Sequence, residues 1–189
     1  MKFNKPDLAR LVKLIYSADN FEKLFALVGL RKLLSIENDP PIQLIIDAGL
    51  ISTFVELLHH EIPKYHFEAA WCLTNIASGK TEHVYALIEH KVIGNFVQLL
   101  NSPVPEVVDQ AVWGLGNIAG DNIFARDQVM NTECMPHLCQ LMVRSEPDHQ
   151  MTRNCTWTVS NLCRGKPRPR NEVLLHAVGP LGEALVNNT

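Results

Sequence analysis

The chain has 189 residues, 47% of them hydrophobic, enough to bury a core as one domain or a small repeat array, which excludes a disordered tail. Seventeen Lys and Arg stand against twenty Asp and Glu, a formal net charge of -3. No long-range attraction therefore draws the molecule to nucleic acid or to an anionic membrane, and charge-based recognition has to be local. The opening MKFNKPDLARLVKLIY has no uninterrupted apolar stretch followed by a small-residue cleavage site, and no run elsewhere approaches the roughly 18 apolar residues of a membrane span. The expected setting is the cytoplasm and nucleus.

From the start, helical apolar spacing runs through VGLRKLLSIE to the break at Pro40-Pro41. AGLISTFVELL follows from Ala48 and recurs as HKVIGNFVQLL from His90 and TECMPHLCQLM from Thr132, two steps of 42 residues. A second element keeps step with it: AWCLTNIASG from Ala70, VWGLGNIAGD from Val112 and TWTVSNLCRG from Thr156. Each carries a Trp followed four residues later by an Asn. Self-similarity at roughly 40 to 47 residues marks HEAT or armadillo solenoids, whose units bury their apolar faces only against neighbours. Phe54, Leu57 and Leu58, like Phe96, Leu99 and Leu100, have helical spacing, and no alternating strand pattern appears.

The fold class is therefore all-α, each unit a short helix, a second helix and a longer Trp-bearing third. Helices are expected to stop or turn at Pro63, Gly79, Pro103 and Pro105, Gly120, Pro147 and the run Gly165 to Pro169. The units divide as 1–47, 48–89, 90–131 and 132–174, with a partial fifth at 175–189. The first unit has Gly29 and Leu33 in place of Trp and Asn. The partial fifth, HAVGPLGEALV, reads as the opening of another unit. Its open apolar face around Leu175 to Leu185 predicts self-association or poor solubility.

Residues four apart share a helix face, so each Trp-x-x-x-Asn presents an indole beside a carboxamide, and stacking the units aligns the pairs in a row. Third helices about 8 to 10 Å apart match an extended peptide advancing about 3.3 Å per residue, two or three residues per indole. Asn offers a donor and an acceptor to peptide amides. A Lys or Arg stem lies between neighbouring indoles with cation-π attraction of roughly 0.5 to 2 kcal/mol per contact. Asp121, Asp109 and Gln110 are placed to receive the charged heads. The plain alternative is that such Trp are core and such Asn are caps. Three pairs in phase with the repeat argue against it, because solenoid cores are normally aliphatic and three buried Asn would need three sets of partners.

Other signals are weak. Gly114, Gly116 and Gly120 have GxGxxxG spacing with no preceding strand, which is not a nucleotide loop. His59-His60-Glu61 lacks a second ligand pair, so no metal, cofactor or catalytic site is expected. Five cysteines without a CxxC pair read as reduced buried thiols. The run Arg164 to Arg170, RGKPRPR, reads as a solvated inter-repeat loop.

FEAAWCLTNIASG at 67–79, EVVDQAVWGLGNIAGD at 106–121 and CTWTVSNLCRGKPRP at 155–169 resemble the importin-α family from about Leu11 to Leu185, over its first four armadillo repeats and a stub of the fifth. The resemblance implies a right-handed superhelical solenoid with three helices per repeat and a groove for basic nuclear-localisation-signal peptides of cargo proteins. It places Trp71, Asn75, Trp113, Asn117, Trp157 and Asn161 in that groove. Gly79 becomes a carbonyl acceptor for the principal lysine, Asp121 its carboxylate partner, and Gln110 and Arg164 further groove residues. A threonine of the family falls at Val84, so one hydrogen bond of the lysine pocket is expected to be missing, with Thr81 near in sequence. The family's basic amino-terminal arm has no counterpart before Met1, so importin-β is not an expected partner through it. Nor are nucleic acid or membrane expected partners. The alternatives are an armadillo scaffold for a folded or acidic partner, or a truncated decoy without transport activity. An enzyme is disfavoured because no nucleophile and base cluster.

Overall fold

The computed structural model describes residues 5–143 and 149–187. Pro147, expected at a helix boundary, lies outside them. The described residues form twelve helices and no strand. A pair, α1 (Lys5–Leu14) and α2 (Asn20–Leu34), precedes three triplets. These are α3 (Ile42–Asp47), α4 (Leu50–Leu57) and α5 (Pro63–Ala77); α6 (Thr81–Glu89), α7 (Val92–Leu99) and α8 (Pro105–Asp121); and α9 (Ile123–Met130), α10 (Cys134–Met142) and α11 (His149–Cys163). A last helix, α12 (Asn171–Asn187), follows. Positions 48, 90 and 132 fall in the turns between the first and second helices of the triplets.

Local chemistry sets these boundaries. Asp19 caps α2, its carboxylate accepting from the Phe21 and Glu22 amides at 2.6 and 3.1 Å. Pro63 and Pro105 open the third helices α5 and α8, where proline's missing N–H costs nothing and its φ is already helical. Between α3 and α4, Gly49 takes the left-handed conformation at φ 72°; one repeat later Lys91 takes it at φ 58°, at a cost glycine does not bear. Gly120, expected to end a helix, lies one residue before the end of α8 at Asp121. There it serves close packing rather than a turn, since a β-carbon on it would come 2.9 Å from Asn161 Nδ2. Asn122 ends α8 with extended backbone, and its side chain accepts from the Ala125 amide at 3.0 Å to start α9.

Phe54 and Phe96, the repeated aromatic of the second helices, are fully buried, each contributing on the order of 2 kcal/mol in transfer free energy. They pack with Leu50, Ile51, Leu73 and Ile76, and with Val92, Ile93, Leu115 and Ile118, in one continuous core. The third helices form a row, α5 packed between α2 and α8, and α8 between α5 and α11. Gly29 and Leu33, which stand where later units have Trp and Asn, are both buried. The final segment is a single helix carrying Pro180 inside it, packed on α10 and α11, with Leu175 and Val178 exposed. None of the five cysteines is bonded; four are buried and Cys163 is half-buried. Burial pushes the Cys72 thiol well up, and raises Cys134 to about 11, so these sulfurs stay protonated and unreactive. No helix among the described residues is long and apolar enough to cross a membrane.

Candidate peptide groove

The Trp and Asn of each unit sit on its third helix, and the stacking of those helices brings them together. Each Asn donates from Nδ2 to the preceding unit: Asn75 to Ser35 Oγ at 2.9 Å, Asn117 to the Thr74 carbonyl at 3.2 Å, Asn161 to the Gly116 carbonyl at 2.9 Å. This anchors the carboxamides in one orientation. Their Oδ1 atoms have no partner among the described residues, so the row presents hydrogen-bond acceptors. Trp113 is 47% and Trp157 40% exposed, a costly disposition for indoles that serve only packing. Trp71 is half-buried.

The remaining candidate residues fall into neighbouring hollows along this row. Gly79, Asn117, Asp121, Trp157, Asn161 and Arg164 line one of about 310 Å³. Asn75 and Gly79 border a second, of about 560 Å³, which Glu37 and Asp39 also line. Gln110 and Asp109, one turn before Trp113 on α8 and expected near the groove, line a third hollow, of about 440 Å³, with Trp71, Phe67 and Glu106. The reason is the stagger of adjacent units, which sets the first half of α8 against the indole of α5. Gln110 Oε1 is buried there without a hydrogen bond, a deficit of about 1 to 3 kcal/mol that an incoming donor would relieve. Asp109 is held by Asn154 Nδ2 at 2.5 Å.

Asp121 accepts from Thr81 Oγ1 at 3.2 Å and from Asn122 Nδ2 at 2.6 Å and forms no ion pair among the described residues. Its charge is left for a cation. An ammonium has three donors; Gly79 and Asp121 line one hollow, and the Thr81 hydroxyl is bonded to the Asp121 carboxylate beside it. Val84 is fully buried in the core and does not border the groove; the hydroxyl beside Asp121 comes from Thr81, one turn earlier on α6. Arg164 donates from Nη2 to the Gly120 carbonyl at 2.9 Å, placing positive charge in the lining of the same hollow.

Two features were not found from the sequence. Arg31 and Glu68, 37 residues apart, form an ion pair at 2.8 Å beneath Trp71; an Arg within the apolar run VGLRKLL was the available signal. Trp157 lies directly on α8, where a β-carbon at Gly116 would meet its Cζ3 at 2.3 Å. That glycine is a requirement for seating the indole.

Three-helix units stacked into a solenoid, with their third helices aligned in a row, define an armadillo-repeat protein. The profile of the Armadillo/beta-catenin-like repeat matches residues 38–78, 80–120 and 125–164, and the chain belongs to that family. Among curated proteins it is 46% identical over 184 residues to importin subunit alpha-2 of Arabidopsis thaliana, covering 96% of this chain and 34% of that one. It is 51% identical over 163 residues to importin subunit alpha-1 of Schizosaccharomyces pombe, covering 86% and 30%. The chain thus spans about a third of the length of the curated relatives it matches. Among solved structures, a designed armadillo repeat protein in complex with the peptide (KR)4 superposes with a TM-score of 0.79 at 29% identity, over 92% of this chain and 70% of that one. An engineered protein superposes with a TM-score of 0.81 at 29% identity, over 98% and 73%.

Proposed function

We propose that the chain holds extended Lys/Arg-rich peptides, of the class that directs cargo into the nucleus, across the Trp/Asn row of α5, α8 and α11. The observation that carries this reading is the repeated carboxamide: three Asn anchored through Nδ2 to the preceding helix, each with its acceptor oxygen free beside an accessible indole. That arrangement offers hydrogen bonds to main-chain amides and aromatic faces to basic stems. Asp121, Gly79 and Thr81 form the pocket for the principal lysine. The kinship with importin α subunits and the likeness to a designed protein solved with (KR)4 support the same assignment, and with it a role as an adaptor of nuclear import shuttling between cytoplasm and nucleus.

The test is a fluorescence-anisotropy titration of the whole chain with a labelled lysine-rich signal peptide and its lysine-to-alanine control, at two salt concentrations. Lysine-dependent binding that weakens with salt is expected. Unchanged binding after Trp71→Ala and Trp113→Ala together would overturn the proposal.

A second reading, a scaffold for a folded partner, has one observation on its side. Tyr85 and Phe124, on the first helices of successive units, stand edge to face at 5.7 Å and 87° while 40% and 53% exposed. Absence of any lysine-dependent binding would bring that surface forward.

A further inference from the structure

We infer that Arg31 is a basic side chain which the protein supplies to its own first indole, so that the row accepts peptide cations only on the side of Trp71 facing α8. The inference rests on the peptide-binding reading of the groove. The Arg31 guanidinium carbon lies 4.5 Å from the centre of the Trp71 ring, the geometry that a bound peptide's arginine would adopt on an indole. It is fixed there from below: Arg31 Nε meets Glu68 Oε2 at 2.8 Å, and Lys64 Nζ meets the other carboxylate oxygen at 3.0 Å. Glu68 is only 2% exposed and Arg31 16%. Buried and anchored in this way, the guanidinium does not swing aside as an exposed side chain would; leaving would strand a buried carboxylate with Lys64 alone.

Among the described residues, neither Trp113 nor Trp157 has such a cation on its ring. In the register that sets Gly29 against Trp71, the place of Arg31 is held by Leu73 on α5 and Leu115 on α8, both fully buried; Trp157 rests instead on the backbone of Gly116 and remains 40% exposed. The first unit has no indole of its own to close the row, because Gly29 is packed against Leu11 in the core. Arg31 takes that closing place. Trp71 keeps one open side, toward the hollow with Asp109, Glu106 and the unpartnered Gln110 Oε1. Arg31 thereby acts as a specificity-determining residue: it limits how many consecutive basic residues are read and fixes where the run ends.

The experiment compares the whole native chain with the Arg31→Gln variant in anisotropy titrations against three labelled peptides. One is a short lysine-rich core; the others add one arginine at its amino or its carboxyl end. In the native chain the arginine directed toward α2 is expected to tighten binding less than twofold. In R31Q the same extension should tighten it about five- to tenfold relative to the core peptide, by restoring the cation on Trp71 and the partner of Glu68. Trp71→Ala in the R31Q background should abolish that gain. Thermal melting verifies the fold of R31Q; if it does not fold, Glu68→Gln, which releases the guanidinium from its anchor, should show a smaller gain of the same sign. Equal effects of both extensions in native and variant chains, with the core peptide bound, overturn this inference alone. No binding of the core peptide to the native chain overturns the groove reading and this inference with it.

Discussion

Trp71 and Trp157 hold the same place in the repeat but rest on different things. Trp71 has a guanidinium 4.5 Å from its ring and the edge of Phe67 at 5.4 Å, and it is half-buried; Trp157 lies on the bare backbone of Gly116 and is 40% exposed. Repetition dictates where an indole stands. The residue beneath it on the preceding helix dictates how much of it remains for a ligand. The same contrast runs through the carboxamides, where Asn117 and Asn161 donate to main-chain carbonyls while Asn75 must use the Ser35 hydroxyl, because the first unit is irregular there.

The sharpest way to break this comparison is to truncate the indoles singly and measure two quantities. Trp71→Ala should cost about 2 to 3 kcal/mol of stability, and the more exposed Trp113→Ala under about 1, by denaturant unfolding. Peptide affinity should rank them in reverse, with Trp113→Ala costing about 2 kcal/mol, because 47% of that residue is exposed to a ligand. If the two orders agree, indole exposure does not measure use.

Next in size, Gly116→Ala should displace Trp157. With the added carbon 2.3 Å from the indole and 2.6 Å from Thr158 Oγ1, about 1 to 3 kcal/mol of stability is expected to go. The tryptophan emission should shift to the red. Gly94, with open space around its α-carbon, is the control position at which alanine should leave the emission unchanged.

The lysine pocket separates Thr81 from Val84. Thr81→Val should weaken a lysine-rich peptide by about 1 kcal/mol, roughly fivefold. Val84→Thr should leave affinity unchanged and cost about 1 to 2 kcal/mol of stability, from a hydroxyl buried in the core. A gain in affinity from Val84→Thr would reassign the hydroxyl.

The smallest effect is a pH dependence at the end of the same groove. His83 Nδ1 accepts from the Lys80 amide at 3.0 Å, and burial, then the nearby Lys80 charge, hold its pKa below the usual histidine value. The unfolded chain therefore takes up this proton first as pH falls. Stability should be flat above about pH 6.5 and decline below it, until the lowered folded value is reached. His83→Gln should flatten that acid limb in urea unfolding between pH 7.5 and 5.5; an unaltered limb would place its origin elsewhere.

Much of the fold was legible because an armadillo unit is built from local rules. Phe54 and Phe96 recur at 42 residues because each second helix must bury one face, and Pro63 and Pro105 recur because each third helix must start. Gly120 marked the end of α8 to within a residue, but its close approach to Asn161 was not legible, because only the neighbour's position shows it. Asp109 and Gln110 were placed near the groove by their spacing to Trp113; that they share a hollow with Trp71, one unit back, depends on how the units stagger.

The sequence by itself determined the repeat, the three-helix unit and the in-phase Trp and Asn, since these are periodicities along one chain and each helix expresses them alone. Tertiary structure alone decided which groups meet between units: Arg31 on Trp71, Thr81 on Asp121, Trp157 on Gly116, and Gln110 Oε1 left without a hydrogen bond. Side-chain bonds between units lie roughly a repeat apart but not at one constant interval, 37 residues for Arg31 and Glu68, 40 for Thr81 and Asp121, 45 for Asn161 and the Gly116 carbonyl. The interval is set by how far each third helix slides and rotates against the last, which depends on the packing of whole helices and is written in no single spacing.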